Sequence, residues 1–372
     1  MKMTGIVFSN IYDTSMGDLT KYRTVASLPF GGRYRQVDFV LSNMTNSGIR
    51  KVGIITKYNY QSLMDHLVTS SEWDFNIRGG GLYFLPPFST GGTSGVYRGK
   101  LEALYNAINF LEHCTEQYIV MCDSTTICNI DFEEVLASHI ASGKDITAIT
   151  TTVEEYDKSR VAEMIISMSG NDVKSLAVNT TPKKGDIIST GMYIMERESL
   201  LEIVKDSVAH GLCYFERDFL QRQFMEDNIT INVYKFNDVL LRNSDVLSYY
   251  KNNLKLLEED VHDGIFKEGA PIYTKVRDEE PSFYYDGSTV DNCLIADGCQ
   301  VKGTIENSII FRDVKIAKEA VVKNSVVMQG TVIESGAHIE NAIIDKDVTI
   351  SEKRTLIGAE FAPLIINKGE TV

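Results

Sequence analysis

The 372-residue chain has no long apolar run and no block of like charge. Crossing a bilayer takes about 20 consecutive apolar residues, and the first apolar stretch is too brief for a signal-peptide core. We therefore expect a cytoplasmic protein with no membrane partner. Lys and Arg number 37 against 51 Asp and Glu, a formal net charge of −14. This acidic balance lacks the basic footprint that nucleic-acid-binding proteins carry.

Paired cysteines are also missing. The six cysteines form no Cys-x-x-Cys motif and have no histidines at zinc-site spacing. A structural zinc site or a disulfide framework would need such spacing. The sequence thus predicts free thiols in a reducing compartment.

Glycine is scarce after the first apolar strand, where the sequence reads Ser9-Asn10-Ile11-Tyr12-Asp13-Thr14-Ser15-Met16-Gly17. A loop that wraps a triphosphate brings backbone N–H groups close to the anion, which favours glycine and a free helix N-terminus. Asp13 adds a negative charge whose repulsion is about 1–4 kcal/mol at contact distance. The sequence predicts a loop that binds a triphosphate poorly.

Short apolar or β-branched runs alternate with helical patterns in the first two thirds of the chain. The predicted strands are Gly5 to Phe8, Val52 to Thr56, Tyr118 to Cys122 and Ile146 to Thr152. Two apolar stripes at helical spacing, Val37 to Met44 and Leu101 to Leu111, indicate core-facing helices. This alternation predicts an α/β fold with a mostly parallel sheet.

The last third of the chain is repetitive. Asn307-Ser308-Ile309-Ile310 recurs with small changes at Asn324 and Asn341, and Asn292 begins a fourth, less regular copy. Apolar residues also recur every five or six positions from Ile316 to Ile350. This hexapeptide pattern predicts a left-handed parallel β-helix.

These features together resemble the ADP-glucose pyrophosphorylase (glucose-1-phosphate adenylyltransferase) family. The resemblance is carried by the two domain patterns and by three motifs: Pro29-Phe30-Gly31-Gly32-Arg33-Tyr34-Arg35, Leu41-Ser42-Asn43 and Asn46-Ser47-Gly48-Ile49. It implies a Rossmann-like nucleotidyltransferase domain at 1–260, a linker at 261–288 and a β-helix at 289–372. It also implies the joining of ATP to glucose 1-phosphate with Mg²⁺, in tetramers.

The chain departs from the family where the chemistry is done. By the resemblance, Ser15 stands at an arginine, Val25 at a lysine and Thr125 at the aspartate that holds Mg²⁺. Electrostatic donors of this kind often supply the largest catalytic contribution. Their loss implies little or no activity by this chain alone, with no cofactor required and Mg²⁺ needed only for residual activity.

Other family positions are retained. By the resemblance, Phe30, Gly31 and Gly32 are a nucleotide-binding remnant. Ser189 and Gly191 are a sugar-phosphate remnant, and Asp218 is a metal carboxylate. Hard Mg²⁺ prefers several oxygen ligands, so Asp218 alone would hold it poorly.

A cluster of cations stands out in the acidic chain. By the resemblance, Arg33, Arg35 and Lys57 would face an anionic effector such as a sugar phosphate or a nucleotide, since Arg forks suit phosphate. Solvated surface charge, or packing onto another subunit, explains the same residues equally well.

The pattern of losses is similar to that of GlgD-type subunits. It implies a non-catalytic or weakly catalytic regulatory subunit in glycogen biosynthesis that activates a catalytic GlgC-type partner. The expected assembly is a heterotetramer, with self-association as a further option. One alternative is an active sugar-phosphate nucleotidyltransferase rebuilt around Lys57, Lys100, Asp123 and Asp218. Another is a hexapeptide acyltransferase, which would need His338 as its base.

Overall fold

The computed structural model describes residues 2–11, 13–68, 70–76, 79–87, 97–154 and 163–372. Within these ranges, no helix is both long and apolar enough to cross a membrane. All six cysteines carry free thiols, as the missing spacing motifs predict.

The first part of the chain folds as helices around a sheet. Its strands are β1 (Met3–Phe8), β2 (Pro29–Phe30), β3 (Tyr34–Arg35), β4 (Lys51–Ile55), β5 (Gly81–Leu85), β6 (Tyr118–Asp123), β7 (Thr126–Cys128), β8 (Ile146–Thr152), β9 (Glu163–Ser169), β10 (Asp172–Thr180), β11 (Ile187–Glu196), β12 (Ile231–Lys235) and β13 (Leu240–Arg242). Its α-helices are α1 (Gln36–Asn46), α2 (Gln61–Leu67), α3 (Lys100–Asn106), α4 (Ile108–Glu112), α5 (Phe132–Ser142), α6 (Arg197–Ala209), α7 (Arg222–Met225), α8 (Val246–Lys255) and α9 (Glu259–Ile265). Short 3₁₀ turns lie at Thr14–Thr20, Val25–Ser27 and Ser71–Trp73, and a π-helix lies at Phe215–Gln221.

The main sheet has the strand order β10-β9-β11-β6-β1-β4-β5, with β8 paired to β11 and β12 paired to β8. Strands β6, β1, β4 and β5 run parallel to one another, whereas β11 runs antiparallel to β6, β8 and β9. The α/β class is confirmed, with a mixed sheet in which the parallel strands form one half. The chain leaves β1 for β4 on one side and later returns to β6 on the other. Ligands of α/β proteins bind at such a switch point.

The apolar stripes form helices, with one interruption. Val37, Val40 and Met44 are buried on α1, which ends just before Gly48 at φ 69°. Gly48 suits that position because glycine reaches positive φ without strain. The second stripe is divided at Ala107 into α3 and α4, and Tyr105 is exposed rather than buried in the core.

The last part of the chain is a stack of short parallel strands. They are β14 (Phe283–Tyr284), β15 (Thr289–Asp291), β16 (Leu294–Ile295), β17 (Gln300–Val301), β18 (Thr304–Glu306), β19 (Ile309–Ile310), β20 (Lys315–Ile316), β21 (Val321–Lys323), β22 (Val326–Val327), β23 (Val332–Ile333), β24 (His338–Glu340), β25 (Ala342–Ile344), β26 (Thr349–Ile350), β27 (Thr355–Ile357) and β28 (Leu364–Ile366). Every third strand pairs, which gives three parallel sheets of five strands each. This is the predicted β-helix.

The repeated asparagines mark one corner of each coil. Asn292, Asn307, Asn324 and Asn341 have φ values of 47°, 45°, 44° and 50°. Asparagine tolerates this left-handed conformation better than other non-glycine residues do. The fourth, irregular copy at Asn292 therefore adopts the same corner as the other three.

The β-helix packs its side against the first part of the chain. Ile309, Val326 and Ile343, one from each of three successive coils, share an apolar cluster with Phe30 and Tyr249. The chain between Ile265, where α9 ends, and Phe283, where β14 begins, contains no helix or strand. The predicted domain boundaries at 260 and 288 stay predictions.

A buried ion pair joins the two parts at the same junction. Arg23 Nη2 contacts Asp345 Oδ2, and the two side chains are 5% and 3% exposed. The other oxygen of Asp345 accepts a 2.7 Å hydrogen bond from the Lys346 backbone N–H. The carboxylate is thus bonded on both sides.

Candidate functional site

The loop after β1 is closed by an internal carboxylate. Asp13 is 5% exposed, and its Oδ1 accepts a 2.7 Å hydrogen bond from the Val25 backbone N–H, while Asn10 donates to Oδ2. The predicted repulsive charge therefore lies inside the loop instead of facing solvent. It takes a backbone donor of the kind that a phosphate would need. Burial raises the pKa of Asp13 to about 6, against the opposing effects of these hydrogen bonds and of Lys57.

This raised pKa predicts a measurable pH dependence. An acid whose pKa is higher in the folded state stabilises the fold when protonated, so its contribution is lost as pH rises towards 6. Replacing Asp13→Asn keeps an acceptor for Val25. We expect the stability of this variant relative to the natural chain to rise by about 1 kcal/mol between about pH 5 and about pH 7.5.

Urea denaturation at both pH values measures this difference. Asp18→Asn removes an exposed carboxylate from the 3₁₀ turn that follows Asp13, and it is the control for loss of charge. An equal pH response in the two variants would contradict the assignment.

Three charged side chains, which we call the Lys100 site, meet at the carboxyl edge of β1 and β6. Lys100, at the start of α3, places Nζ 2.9 Å from Asp123 Oδ1 and 2.6 Å from Glu216 Oε1. The ammonium also lies 5.3 Å from the ring centre of Phe8 and 5.7 Å from that of Tyr193. Burial disfavours the charge on Lys100, but the two carboxylates outweigh it and raise its pKa. Lys100 is therefore a buried cation with two anionic partners.

The sugar-phosphate remnant residues lie against this group. Gly191 has φ 79°, and a Cβ there would lie 2.9 Å from Cγ of Asp123 and closer still to its Oδ2. Ser189 donates a 2.8 Å hydrogen bond to the Tyr193 hydroxyl and accepts one of 3.2 Å from the Gly191 N–H. The structure thus brings Ser189 and Gly191 to Asp123, while their role in sugar binding stays a prediction.

Asp218 lies outside this group and is used structurally. Its Oδ2 accepts hydrogen bonds of 3.0 Å from the backbone N–H groups of Cys213 and Tyr214, and Oδ1 pairs with Arg217 at 2.6 Å. Glu216, on the same π-helix, reaches Lys100 instead. The described residues contain no group of three or more His, Cys, Asp or Glu suited to a metal. The assignment of Asp218 to a metal stays a prediction.

The nucleotide-remnant residues lie at the domain junction. Phe30 is fully buried and packs edge-on against Phe39. The Gly31 N–H donates a 3.1 Å hydrogen bond to Asn253 on α8, and a Cβ on Gly32 would lie 3.7 Å from the Ile310 carbonyl. Both glycines have positive φ, 62° and 81°. These contacts serve the hairpin between β2 and β3, and the nucleotide role stays a prediction.

The predicted effector cations divide between two places. Arg33 and Arg35 line a narrow cleft between the β2–β3 hairpin and the β-helix, which is partly open to solvent. Lys57 instead stands beside the closed loop. Its backbone N–H donates to Asn10, and its Nζ is 5.4 Å from the ring centre of Tyr97.

Four further cations line the same cleft, which we call the basic cleft: Lys275, Arg277, Arg312 and Lys346. Arg312 is 7% exposed, and its Nε is buried without a hydrogen-bond partner. Burial and the neighbouring guanidinium groups of Arg35 and Arg23 lower the pKa of Lys346 to about 7. The cleft is a concentrated positive field in an acidic chain, as an anion site requires.

The sequence contained a signal for part of this cleft. Arg312, Gln329 and Lys346 occupy the same corner of three successive coils, at the 17-residue spacing that also separates the hydrogen-bonded Ser308 and Ser325. Residues in register along a solenoid form a column on one face. The partners of this column, Arg33 and Arg35, lie almost 300 residues earlier in the chain, so no local pattern joins them to it. Arg23 and Asp345 are similarly far apart, by 322 residues.

Comparison with known proteins now bears on this geometry. Residues 12–235 match the nucleotidyl transferase family, and residues 281–362 match the GlmU-like, C-terminal hexapeptide family. A glycogen biosynthesis protein GlgD of Bacillus subtilis is 33% identical over 368 residues, 99% of this chain and 96% of that protein. The chain belongs to the glucose-1-phosphate adenylyltransferase family, in its GlgD group.

Two proteins of Geobacillus stearothermophilus extend the comparison. Its glycogen biosynthesis protein GlgD is 34% identical over 321 residues, 86% of this chain and 83% of that protein. Its glucose-1-phosphate adenylyltransferase is 32% identical over 301 residues, 80% and 77% of the two chains. The chain is therefore similar to both groups of the family.

The three positions that the resemblance predicts to be replaced lie around the closed loop and just after β6 in this GlgD-group chain. Ser15 is exposed on the 3₁₀ turn that follows Asp13, while Val25 and Thr125 are fully buried. Buried apolar and hydroxyl side chains provide no cation for a phosphate. On the β-helix, His338 Nε2 lies 3.5 Å from Glu340, and both side chains are about one third exposed. This placement adds no support to the acyltransferase alternative.

Proposed function

We propose that the chain is a non-catalytic or weakly catalytic regulatory subunit of a glucose-1-phosphate adenylyltransferase in cytoplasmic glycogen biosynthesis. The observation that carries this proposal is Lys100, whose ammonium is held by Asp123 and Glu216 in the Lys100 site. Phosphoryl and nucleotidyl transfer depend on free cations and donors aimed at developing negative charge. Here the buried cation already has two anionic partners. The charge of Lys100 is therefore already neutralised and contributes little to stabilising a transition state.

The closed loop supports the same proposal. Asp13 takes the backbone N–H of Val25, a donor of the kind that a phosphate would need. A nucleotide would have to displace this carboxylate from its hydrogen bonds before it bound. No cofactor is required for such a regulatory role, and Mg²⁺ would serve residual activity alone.

The partner we propose is a catalytic GlgC-type chain, assembled with this one as a heterotetramer. Geobacillus stearothermophilus has a protein of each name, and this chain is similar to both. Shared fold and symmetry-related surfaces make such paralogues natural co-assembling subunits. Coupling across their interface would favour the active conformation of the partner.

Pyrophosphate release from ATP and glucose 1-phosphate tests this function. The chain, a catalytic paralogue from the same genome, and an equal mixture are assayed separately, and the mixture is also run by size-exclusion chromatography. We expect no release by this chain alone, a joint peak, and a higher rate in the mixture. Separate peaks with an unchanged rate would overturn the partnership.

Substantial release by this chain alone would overturn the non-catalytic role. Asp123, at the end of β6, is the residue that favours the alternative of an active, rebuilt transferase. Loss of that release on Asp123→Asn would then identify the rebuilt site.

We propose further that the basic cleft binds an anionic effector, a sugar phosphate or a nucleotide. The support is the buried, unpartnered Arg312 Nε together with the convergence of Arg33, Arg35 and Lys346. An unsatisfied buried donor is costly, and an anion would relieve it. The cleft is lined by both parts of the chain, so a bound anion would bias their arrangement.

Sulfate binding tests the cleft, because sulfate does not titrate near neutral pH. Lys346 has a pKa lowered to about 7, and a bound anion would favour its charged form. Affinity should therefore strengthen as pH falls through this value, by about tenfold between about pH 8 and about pH 6. Isothermal titration calorimetry measures this change.

Two variants and a control sharpen the experiment. Lys346→Arg keeps a positive charge that does not titrate in this range, so the pH dependence of sulfate binding should disappear. His66 also lines the basic cleft and is still present in this variant, so a pH dependence that remains would be assigned to His66 and would contradict the role of Lys346. Arg312→Gln should weaken binding at both pH values. Lys315→Gln, an exposed cation on the same β-helix, should have no effect. Equal affinity in the Arg312 and Lys315 variants would contradict the proposed site.

A further inference from the structure

The family resemblance implies a bound divalent metal, and the residues of the Lys100 site do not fit one. The carboxylates of Asp123 and Glu216 lie together, but each contacts the same ammonium, Lys100 Nζ, at 2.9 and 2.6 Å. Mg²⁺ takes close to octahedral oxygen ligands at about 2.1 Å. A metal ion would need these two oxygens as ligands, and both are already taken by the ammonium.

We propose that the ammonium of Lys100 takes the place of a divalent ion, so that the Lys100 site does not bind Mg²⁺ or Mn²⁺. The proposal concerns only metal binding at the Lys100 site, and it holds whether or not the chain activates a partner.

The backbone around Lys100 is built to hold its side chain in place. Gly99 precedes it, and a Cβ there would overlap the carbonyl of Cys213, lying 2.8 Å from its carbon atom. The Leu101 N–H donates a 3.0 Å hydrogen bond to the same carbonyl. Because Gly99 allows this close approach, the start of α3 meets the segment that leads to Glu216. The helix start and the carboxylate are thus fixed to each other.

Two aromatic rings beside the group also suit an ammonium. The rings of Phe8 and Tyr193 lie 5.3 and 5.7 Å from Nζ, within the range of cation–π attraction. Lys100 is 8% exposed and Asp123 is 2% exposed. A hydrated metal ion would need to bring its own water into this space. A lysine ammonium, with three donors and an apolar stem, needs no such water.

Asp123 also has no freedom to turn away from Lys100. Its Oδ2 packs against the Cα of Gly191, where a Cβ would overlap it. The carboxylate is therefore confined between β11 and the ammonium. Removing the charge of Lys100 would leave Asp123 and Glu216 as two carboxylates without the ammonium that they share, and such a pair attracts a divalent cation.

This reasoning gives an engineered gain of metal binding. Lys100→Met retains the length of the side chain and removes its charge. We expect the natural chain to show no saturable Mn²⁺ binding below about 1 mM by electron paramagnetic resonance. Lys100→Met should bind one Mn²⁺ at least about tenfold more tightly, and adding Glu216→Gln should remove that gain.

A matched control distinguishes Mn²⁺ binding at the Lys100 site from Mn²⁺ binding to carboxylates on the acidic surface. Lys205 pairs with Glu112 at 2.7 Å in an exposed position, so Lys205→Met also frees a carboxylate and should gain no Mn²⁺ site. Equal Mn²⁺ binding by the Lys100 and Lys205 variants would overturn the proposal. Saturable Mn²⁺ binding by the natural chain that is lost on Asp123→Asn would also overturn it.

Thermal stability gives a second readout that needs no enzyme activity. A ligand that binds only the folded state raises the melting temperature in proportion to ln(1 + [L]/Kd). Excess Mg²⁺ should leave the natural chain unchanged and raise the melting temperature of Lys100→Met. If Lys100→Met does not fold in the absence of metal, its recovery by Mn²⁺ supports the proposal, and its failure with Mn²⁺ present counts against it.

Discussion

Gly191→Ala is expected to destabilise the chain by about 3–5 kcal/mol, an effect among the largest for a single methyl group. Gly191 has φ 79°, where an alanine is strained by roughly 1 kcal/mol. The larger part of the loss comes from Asp123, whose carboxylate occupies the space of the added Cβ. Because Asp123 is held by Lys100, it cannot move without breaking a buried ion pair. Urea denaturation measures the loss.

Gly185→Ala is the matched control for this substitution. Gly185 also has positive φ, 90°, but nothing lies within 4 Å of a Cβ placed there. Its substitution should therefore cost only the backbone strain, about 1 kcal/mol. The difference between the two variants isolates the contact with Asp123. Similar losses in both would mean that the contact is looser than described.

Asp345→Asn is expected to cost about 3–5 kcal/mol, because it leaves Arg23 buried without its anionic partner. The two side chains are 5% and 3% exposed, and Arg23 Nη1 already lacks a hydrogen bond. The asparagine can still accept from the Lys346 N–H, so the change isolates the charge. Denaturation followed by tyrosine fluorescence measures the loss.

The double variant Arg23→Met, Asp345→Asn removes the unpaired cation and should recover most of the stability lost in Asp345→Asn. Asp347→Asn, which changes an exposed carboxylate on the same turn, should stay within about 0.5 kcal/mol of the natural chain. A loss in Asp345→Asn no larger than this control would contradict the role of the ion pair at the junction.

The repeating parts of this fold are the ones that the sequence predicts well. The strand Ile146–Thr152 has the predicted bounds, and the four asparagine copies form the corners of the β-helix. Both patterns are local, because each residue is placed by neighbours a few positions away. Ala107, where the second stripe divides into two helices, is an apolar residue with no turn signal. Its interruption follows from tertiary packing.

The candidate site was harder to predict because its partners are distant in sequence. Lys100 and Glu216 are separated by 116 residues, and no spacing rule joins them. Asp218 was the more obvious carboxylate, yet its oxygens bond to nearby backbone N–H groups. Whether Glu216 or Asp218 reaches Lys100 depends on how the π-helix is oriented. That orientation is set by packing and not by composition.

The junction on the side of the β-helix also has a consequence for local unfolding. Stacked coils touch only their neighbours, so a free solenoid opens from its ends, one repeat after another. Here Ile309, Val326 and Ile343 of three interior coils are buried against the first part of the chain, whereas Leu294 and Ile365 of the outer coils pack there only partly buried. Arg312 and Lys346, the coil cations of the basic cleft, belong to the first and last of these interior coils. Fraying at either end of the stack therefore leaves the charges of the cleft in place.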